Sequence, residues 1–339
     1  MQYRRFGDSG ITGSAVGFGV WTVGTSMWGI SDRSVGINLL QKAFEWGVTF
    51  FDTADVYGDG NGETILADAL SNHRDEILIA TKFGYDFYNF PGLQPGQRER
   101  PHDWSPAFLR KALEETLRRL KTDRIDLYQL HNPRLDAIRK DDLWAELDTL
   151  KAEGKIRMIG NALGPALQPD RQAEEGIESV NLRQAAPQII YNLLEQPLGE
   201  AIFPVARASD VPVFTRVPHA SDLLAGKIDK DTVFAPGDHR QHRVTTDEKK
   251  RKWQDRGLKK LEKLGFLTES GERTIGQAAI QFILSEPCIA SVLPNIYDEE
   301  SLAEYCAASN TPVLTEQELE KITDLYNNDF YLETETAAA

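Results

Sequence analysis

Four residues stand out because their types and spacing suit one kind of chemistry. FFDTADVYG carries Asp52 and, five residues on, Tyr57; IATK ends in Lys82, and LYQLH ends in His131. Each follows a short apolar run, so an acid, a phenol, an amine and an imidazole meet only if those runs are strands whose ends share one rim. In such a cluster the ammonium stabilises the phenolate, and the phenol gives up its proton more readily than a reference pKa of ~10 implies. Asp52 would hold Lys82 charged and oriented, and His131 would donate a second hydrogen bond to an oxygen gaining charge. The set suits a carbonyl oxygen that becomes an alkoxide and takes up a proton. No side chain supplies a hydride, whereas a nicotinamide cofactor would.

The elements needed to position these residues are legible. Eight short apolar runs read as buried strands: Ala15–Val20, Val48–Asp52, Ile77–Lys82, Asp126–His131, Ile156–Ala162, Gln188–Leu193, Val211–Arg216 and Ile289–Asn295. Amphipathic helices alternate with them. Asp32 caps one that stops at Gly47, Ser105-Pro106 opens another, and Leu143, Trp144, Leu147 and Leu150 mark a third before Gly154. The pattern predicts a single-domain α/β fold over residues 1–339, a (β/α)8 TIM barrel. A β-hairpin, QYRRFG turning at Asp8–Gly10 into ITGSA, precedes the barrel and could plug its bottom. Two long connections follow Lys82 and Arg216 and would rise from the rim where barrel active sites are built. The first carries Tyr85, Phe87, Tyr88 and Phe90, either a substrate lid or a packed surface loop.

Composition narrows the partners. With 38 basic and 52 acidic residues, the net charge of −14 argues against nucleic acid or an anionic membrane. No apolar run approaches a membrane span, and the first residues, MQYRRFGDSG, lack a signal core. Cys288 and Cys306 alone build neither a disulfide framework nor a zinc site. His239-x-x-His242 has metal-like spacing but no third ligand, and the TETAAA tail from Thr334 to Ala339 reads as frayed. The expectation is a cytoplasmic monomer acting on a small molecule.

Together, FFDTADVYG, ATK, LYQLH, GKIRMIG (154–160), QIIYNLLEQ (188–196) and LLAGK (223–227) resemble the aldo-keto reductase superfamily, in order and spacing, from about Tyr3 to Tyr326. VGFGVWTVGTSMWG is similar to its bacterial and channel-subunit-like branches. The resemblance implies a (β/α)8 barrel, NADPH or NADH bound without a Rossmann domain, and a catalytic tetrad of Asp52, Tyr57, Lys82 and His131 with Tyr57 as general acid. The sequence has no G-x-G-x-x-G opening a βαβ unit. Further cofactor positions implied are Trp21 (core packing or pocket wall), Gln188, Pro218, Leu223, Gly226 and, facing the adenine, Glu304.

Departures from the family pattern are informative. A Ser-Asn pair that holds the nicotinamide carboxamide is replaced by Ala162-Leu163, with Asn161 as a substitute amide. An aromatic that stacks on the nicotinamide ring is replaced by Arg216, whose charge disfavours an oxidised, cationic ring unless an anion pairs with it. Asn295 and Ser301 stand where a Lys and an Arg would grip a 2′-phosphate, with Asp298, Glu299 and Glu300 between. Acids repel that phosphate, and one can accept from a free ribose 2′-OH, so NADH is expected over NADPH. The reading is an oxidoreductase interconverting an aldehyde or ketone and an alcohol. Its alternatives are a cofactor-binding redox sensor with little turnover and a sugar or polyol dehydrogenase.

Overall fold

The computed structural model describes residues 1–30, 32–92, 99–234, 238, 240 and 247–332. The chain opens with an antiparallel hairpin of β1 (Tyr3–Arg5) and β2 (Thr12–Ser14). One parallel sheet follows, its strands paired in chain order: β3 (Phe18–Gly19), β4 (Phe50–Asp52), β5 (Leu78–Phe83), β6 (Ile125–His131), β7 (Ile156–Ala162), β8 (Ala186–Ile190), β9 (Val213–Arg216) and β10 (Ile289–Leu293). Val16, just before β3, makes a parallel bridge with Val292 of β10. The Gly17 N–H donates to Val292 O and the Val292 N–H to Ala15 O, each at 2.9 Å. That bridge closes the sheet, and the expected barrel with its eight expected strands is present.

Helices alternate with the strands: α1 (Trp21–Gly24), α2 (Arg33–Glu45), α3 (Asn61–Leu70), α4 (Pro106–Leu120), α5 (Leu135–Ile138), α6 (Asp141–Ala152), α7 (Pro169–Arg183), α8 (Pro197–Ala208), α9 (Asp247–Lys263), α10 (Ile275–Leu284), α11 (Glu299–Ala308) and α12 (Glu316–Asn327). Local sequence explains their ends. The Asp32 carboxylate accepts from the Ser34 N–H at 2.8 Å and starts α2. The Ser105 hydroxyl accepts from the Phe108 N–H at 3.2 Å and, with Pro106 at the first position, starts α4. Outward strand residues such as Phe51, Ile79, Tyr128, Ile189 and Val213 share the main apolar core with the helices, including Leu40, Leu113, Leu147 and Ile202.

Inward residues form layers, because side chains alternate across each strand. The lower layer is apolar: Phe50, Ala80, Leu127, Met158, Ala186 and Phe214 cluster with Phe6 and Ile11 from the hairpin. Phe6 packs edge-on against Phe50 and Phe214, with ring centroids 5.3 and 5.1 Å away. The hairpin thus plugs the bottom, as its sequence suggests. Two residues farther along each strand, toward its C-terminal end, the same inward column carries Asp52, Lys82, Gln129, Gly160, Gln188 and Arg216. A polar layer therefore lies directly above an apolar one.

Candidate active site

Lys82 occupies the centre of this polar layer and is 1% exposed. Its ammonium donates to Asp52 Oδ1 at 2.6 Å, to the Thr53 carbonyl at 2.7 Å and to the Tyr57 hydroxyl at 3.2 Å. Burial alone would depress the Lys82 pKa, but the charges of and hydrogen bonds with Asp52 and Tyr57 outweigh it, and the net shift is upward. Two amides complete the carboxylate's shell: Gln129 Nε2 donates to Asp52 Oδ2 at 3.0 Å and Gln188 Nε2 at 2.8 Å. Asp52 is thus fixed by an ammonium on one oxygen and two amides on the other.

Tyr57 reaches the cluster from the turn between β4 and α3. Gly62, in the first turn of α3, makes that possible. A Cβ there would lie 2.7 Å from Thr53 Oγ1 and 2.9 Å from Tyr57 Cβ. The Tyr57 ring meets Trp21 edge-on at 5.0 Å and His131 edge-on at 5.8 Å, and Tyr85 closes on His131 at 4.9 Å. His131 is driven well below the usual histidine range, first by burial and then by the cations Lys82 and Arg216. Its imidazole is therefore neutral at physiological pH and can donate a hydrogen bond without bringing a charge. The four residues singled out by spacing are together at one mouth.

Behind them lies an ionic strut. Glu63 of α3, fully buried, accepts from Thr81 Oγ1 at 2.7 Å, Thr116 Oγ1 at 3.0 Å and Arg119 Nε at 2.6 Å, tying α3 to β5 and α4. In the connection after β5, Tyr85 and Phe87 are buried, Phe87 stacks on Tyr88 at 4.2 Å, and of these four aromatics Phe90 alone is exposed. It is a packed wall of the mouth. His239, His242 and the tail from Thr334 lie outside the described residues.

The cofactor positions divide. Trp21 is a wall of the mouth beside Tyr57. Asn161 is not at the mouth: its amide nitrogen donates to Ser179 Oγ on α7 at 2.7 Å, and the side chain is fully buried. Strand alternation explains the correction, since Met158, Gly160 and Ala162 take the inward side of β7 and Asn161 the outward one. Gln188 points inward but spends its amide N–H groups on Asp52 and on Gln129 Oε1 at 3.3 Å. Arg216 is half-buried at the rim, where Nη2 donates to the carbonyls of Leu163 at 3.0 Å and Pro165 at 3.1 Å. Pro218 and Leu223 are buried, and Gly226 is exposed with a φ of +67°.

At the eighth strand, Asn295 is half-buried on the rim. Asp298 caps α11, its Oδ1 accepting from the Ser301 N–H at 2.7 Å. Burial pulls its pKa up, but Ser301 and Lys227 pull harder and hold it below the usual range. Ser301 is fully buried with its hydroxyl on the Asp298 carbonyl, so it faces away from any ligand on the rim. The Glu304 carboxylate accepts from the Thr274 hydroxyl. Sequence reasoning missed Gln129 and Lys227. Gln129 stands two residues before His131 on one strand and so on the same face. Lys227, last in the LLAGK motif, reaches Asp298 at 3.3 Å and lies 5.0 Å from the centre of the Tyr297 ring.

The model of the aldo/keto reductase family matches residues 15–327. The chain belongs to that family. Aldo-keto reductase YhdN of Bacillus subtilis (strain 168) is 31% identical over 85% of this chain and 82% of its own length. The NADH-specific methylglyoxal reductase of Escherichia coli (strain K12) is 29% identical over 91% of this chain and 94% of its own. The glycerol dehydrogenase AKR11B4 from Gluconobacter oxydans superposes with a TM-score of 0.80 at 26% identity, covering 99% of both chains. As an aldo/keto reductase the protein is an oxidoreductase of carbonyl and alcohol groups. Among the described residues, no helix is long and apolar enough to cross a membrane.

Proposed function

We propose that this aldo/keto reductase reduces a small aldehyde or ketone, or runs the reverse oxidation, with Tyr57 as the proton donor. The observation that carries this is the unbroken contact Asp52–Lys82–Tyr57, at 2.6 and 3.2 Å. The Tyr57 hydroxyl gives its proton to the carbonyl oxygen as that oxygen gains charge. Lys82, held cationic by Asp52, stabilises the phenolate left behind. Neutral His131 orients the carbonyl by donating a hydrogen bond, and Trp21 and Tyr85 exclude water from the mouth.

A reduced nicotinamide supplies the hydride when bound. The donor set fits that group, because it manages a proton and a developing negative charge and contains no electron source. Trp21 would flank the reactive ring, and Lys227 with the first turn of α11 would meet the phosphate end. Tyr57→Phe should lower turnover about 100-fold or more while NADH still quenches protein fluorescence. Full activity in that variant would sink the assignment.

NADH is the proposed cofactor, NADPH the alternative. Asp298, Glu299 and Glu300 crowd the start of α11, and the cations beside them are already paired, Lys227 with Asp298 and Lys42 with Glu299 at 2.5 Å. A doubly charged 2′-phosphate would have to displace these carboxylates. Titration should find NADH bound about tenfold more tightly, ~1.4 kcal/mol, and tighter NADPH binding would refute the preference.

A further inference from the structure

Three members of the cluster at the mouth are fixed by hydrogen bonds. Lys82 ties Asp52 to Tyr57, and Gln129 and Gln188 brace the carboxylate. His131 is held differently. Among the described residues, no hydrogen bond reaches its imidazole: Nδ1 is buried without a partner, while Nε2 is not sealed from solvent. A buried N–H with no acceptor is rarer than a buried lone pair with no donor, so the proton belongs on Nε2, at the open side. Packing is what keeps Nε2 turned that way. Of the two aromatic rings beside the imidazole, Tyr85 is the closer, edge-on at 4.9 Å, and Tyr57 stands at 5.8 Å.

Tyr85 is itself fixed at both ends. Its ring lies on His102 at 4.2 Å, and His102 lies on Trp104 at 4.8 Å. Gly84 leaves the space that Trp104 fills, since a Cβ there would overlap the indole. The Tyr85 hydroxyl donates to Glu99 Oε1 at 2.6 Å and accepts from Asn132 Nδ2 at 2.7 Å. Asn132 has a left-handed backbone, φ +54°, a conformation that asparagine tolerates better than most residues. Glu99 is held in turn by Arg134, whose Nη2 donates to Oε2 at 2.8 Å and whose Nη1 donates to the Asn132 carbonyl at 2.7 Å. Burial, and then Glu99, push the Tyr85 pKa up, so the hydroxyl keeps its proton. His102 adds a second tie. A carbonyl only accepts, so His102 carries a proton on Nε2 and donates it to His131 O at 2.9 Å. Residues of the connection after β5 thus grip both the backbone and the ring of His131.

We propose that Tyr85 is a positioning residue for His131: with its hydroxyl anchored by Glu99 and Asn132, its ring fixes the imidazole in the orientation that aims Nε2–H at the substrate carbonyl. This rests on the carbonyl-reductase reading given above. Tyr85 gives no proton to the substrate, because its hydroxyl is spent on the anchor. Its effect passes through the hydrogen bond that His131 donates, and a donor turned away from the oxygen gaining charge loses most of its value.

The test is a double-mutant cycle on the full chain, with benzaldehyde as the probe. Tyr85→Leu should lower kcat about 10- to 100-fold, leave fluorescence quenching by NADH unchanged, and have little further effect in a His131→Ala background. Tyr85→Phe, which keeps the ring, should recover most of the activity. An equal loss in both backgrounds, or a Phe variant as poor as the Leu variant, would overturn the proposal. A second readout needs no turnover. With the histidine ring nitrogens isotope-labelled and His131 assigned from the spectrum of His131→Ala, the wild type should show a single neutral Nε2–H tautomer. Tyr85→Leu should show a broadened signal averaged between tautomers, and an unaltered signal would refute the role of Tyr85. If Tyr85→Leu does not fold, Glu99→Ala loosens the same anchor from its half-buried outer end, and should give a smaller loss of kcat that also vanishes without His131. If the wild type reduces no aldehyde while the tautomer behaves as stated, the reductase reading fails and the positioning of His131 stands.

Discussion

Asp52 shows how much of a catalytic residue's behaviour lies in what holds it. It is 4% exposed and accepts from Lys82, Gln129 and Gln188, so its charge is balanced and both its oxygens are fixed. Replacing it with asparagine keeps the shape but leaves a buried ammonium without a counter-charge, a change that typically costs about 3–5 kcal/mol. Asp52→Asn should therefore lower both Tm and turnover, checked by calorimetry and an NADH-oxidation assay; an unchanged Tm would mean that Lys82 finds another partner. The acids and bases of this site were legible in the sequence because each stands at the end of a short apolar run. Direction was harder to read. Asn161 sits one residue out of phase with Gly160 and Ala162, and that parity turns it to Ser179 on α7. The same parity argument would have recovered Gln129 from the position of His131. Ser301 and Asp298 are consumed by the cap of α11, a role that an aspartate at a helix start suits.

Among elements, the hairpin shows most clearly how the parts depend on one another. Phe6 is 1% exposed and fills the bottom of the barrel against Phe50 and Phe214. Those two rings are the inward residues just below Asp52 and Arg216, so the plug supports the layer that carries the site. Phe6→Ala should cost about 3–5 kcal/mol, read as a lower urea midpoint with an unchanged slope, while NADH affinity at the opposite end is retained. A variant as stable as the wild type would mean that the hairpin is a surface ornament. The strands and the capped helices were readable because buried parallel strands are uniformly apolar and caps are local signals. What the connections would do was not. The aromatic segment after β5 left a substrate lid and a packed surface loop equally open, and it is packing that decides, with Phe87 against Tyr88 and Arg119 lying 5.7 Å from the Phe87 ring centre. Such long-range contacts leave no period in the chain.

For the molecule as a whole, buried ionisable groups set how stability responds to pH, and Asp55 is the clearest case. It is fully buried, no side chain reaches either carboxyl oxygen, and its pKa is raised well above the usual carboxylate value, first by burial and then by the charge of Glu63. In the unfolded chain the same group ionises near pH ~3.9. Below that pH the two states carry the same proton and Asp55 costs nothing. As pH rises toward the folded-state pKa, the unfolded state releases its proton first, and stability falls by about 1.4 kcal/mol per pH unit. Arg119 and Lys82 pull the other way, which limits the loss without reversing its sign. Asp55→Asn removes the titration while keeping the side chain's size. The variant should therefore melt higher than the wild type at pH 8, and the gain should shrink toward zero as the pH is lowered to about 4. A difference in Tm that stays constant across that range would show that Asp55 is ionised in the folded protein and paired with Arg119.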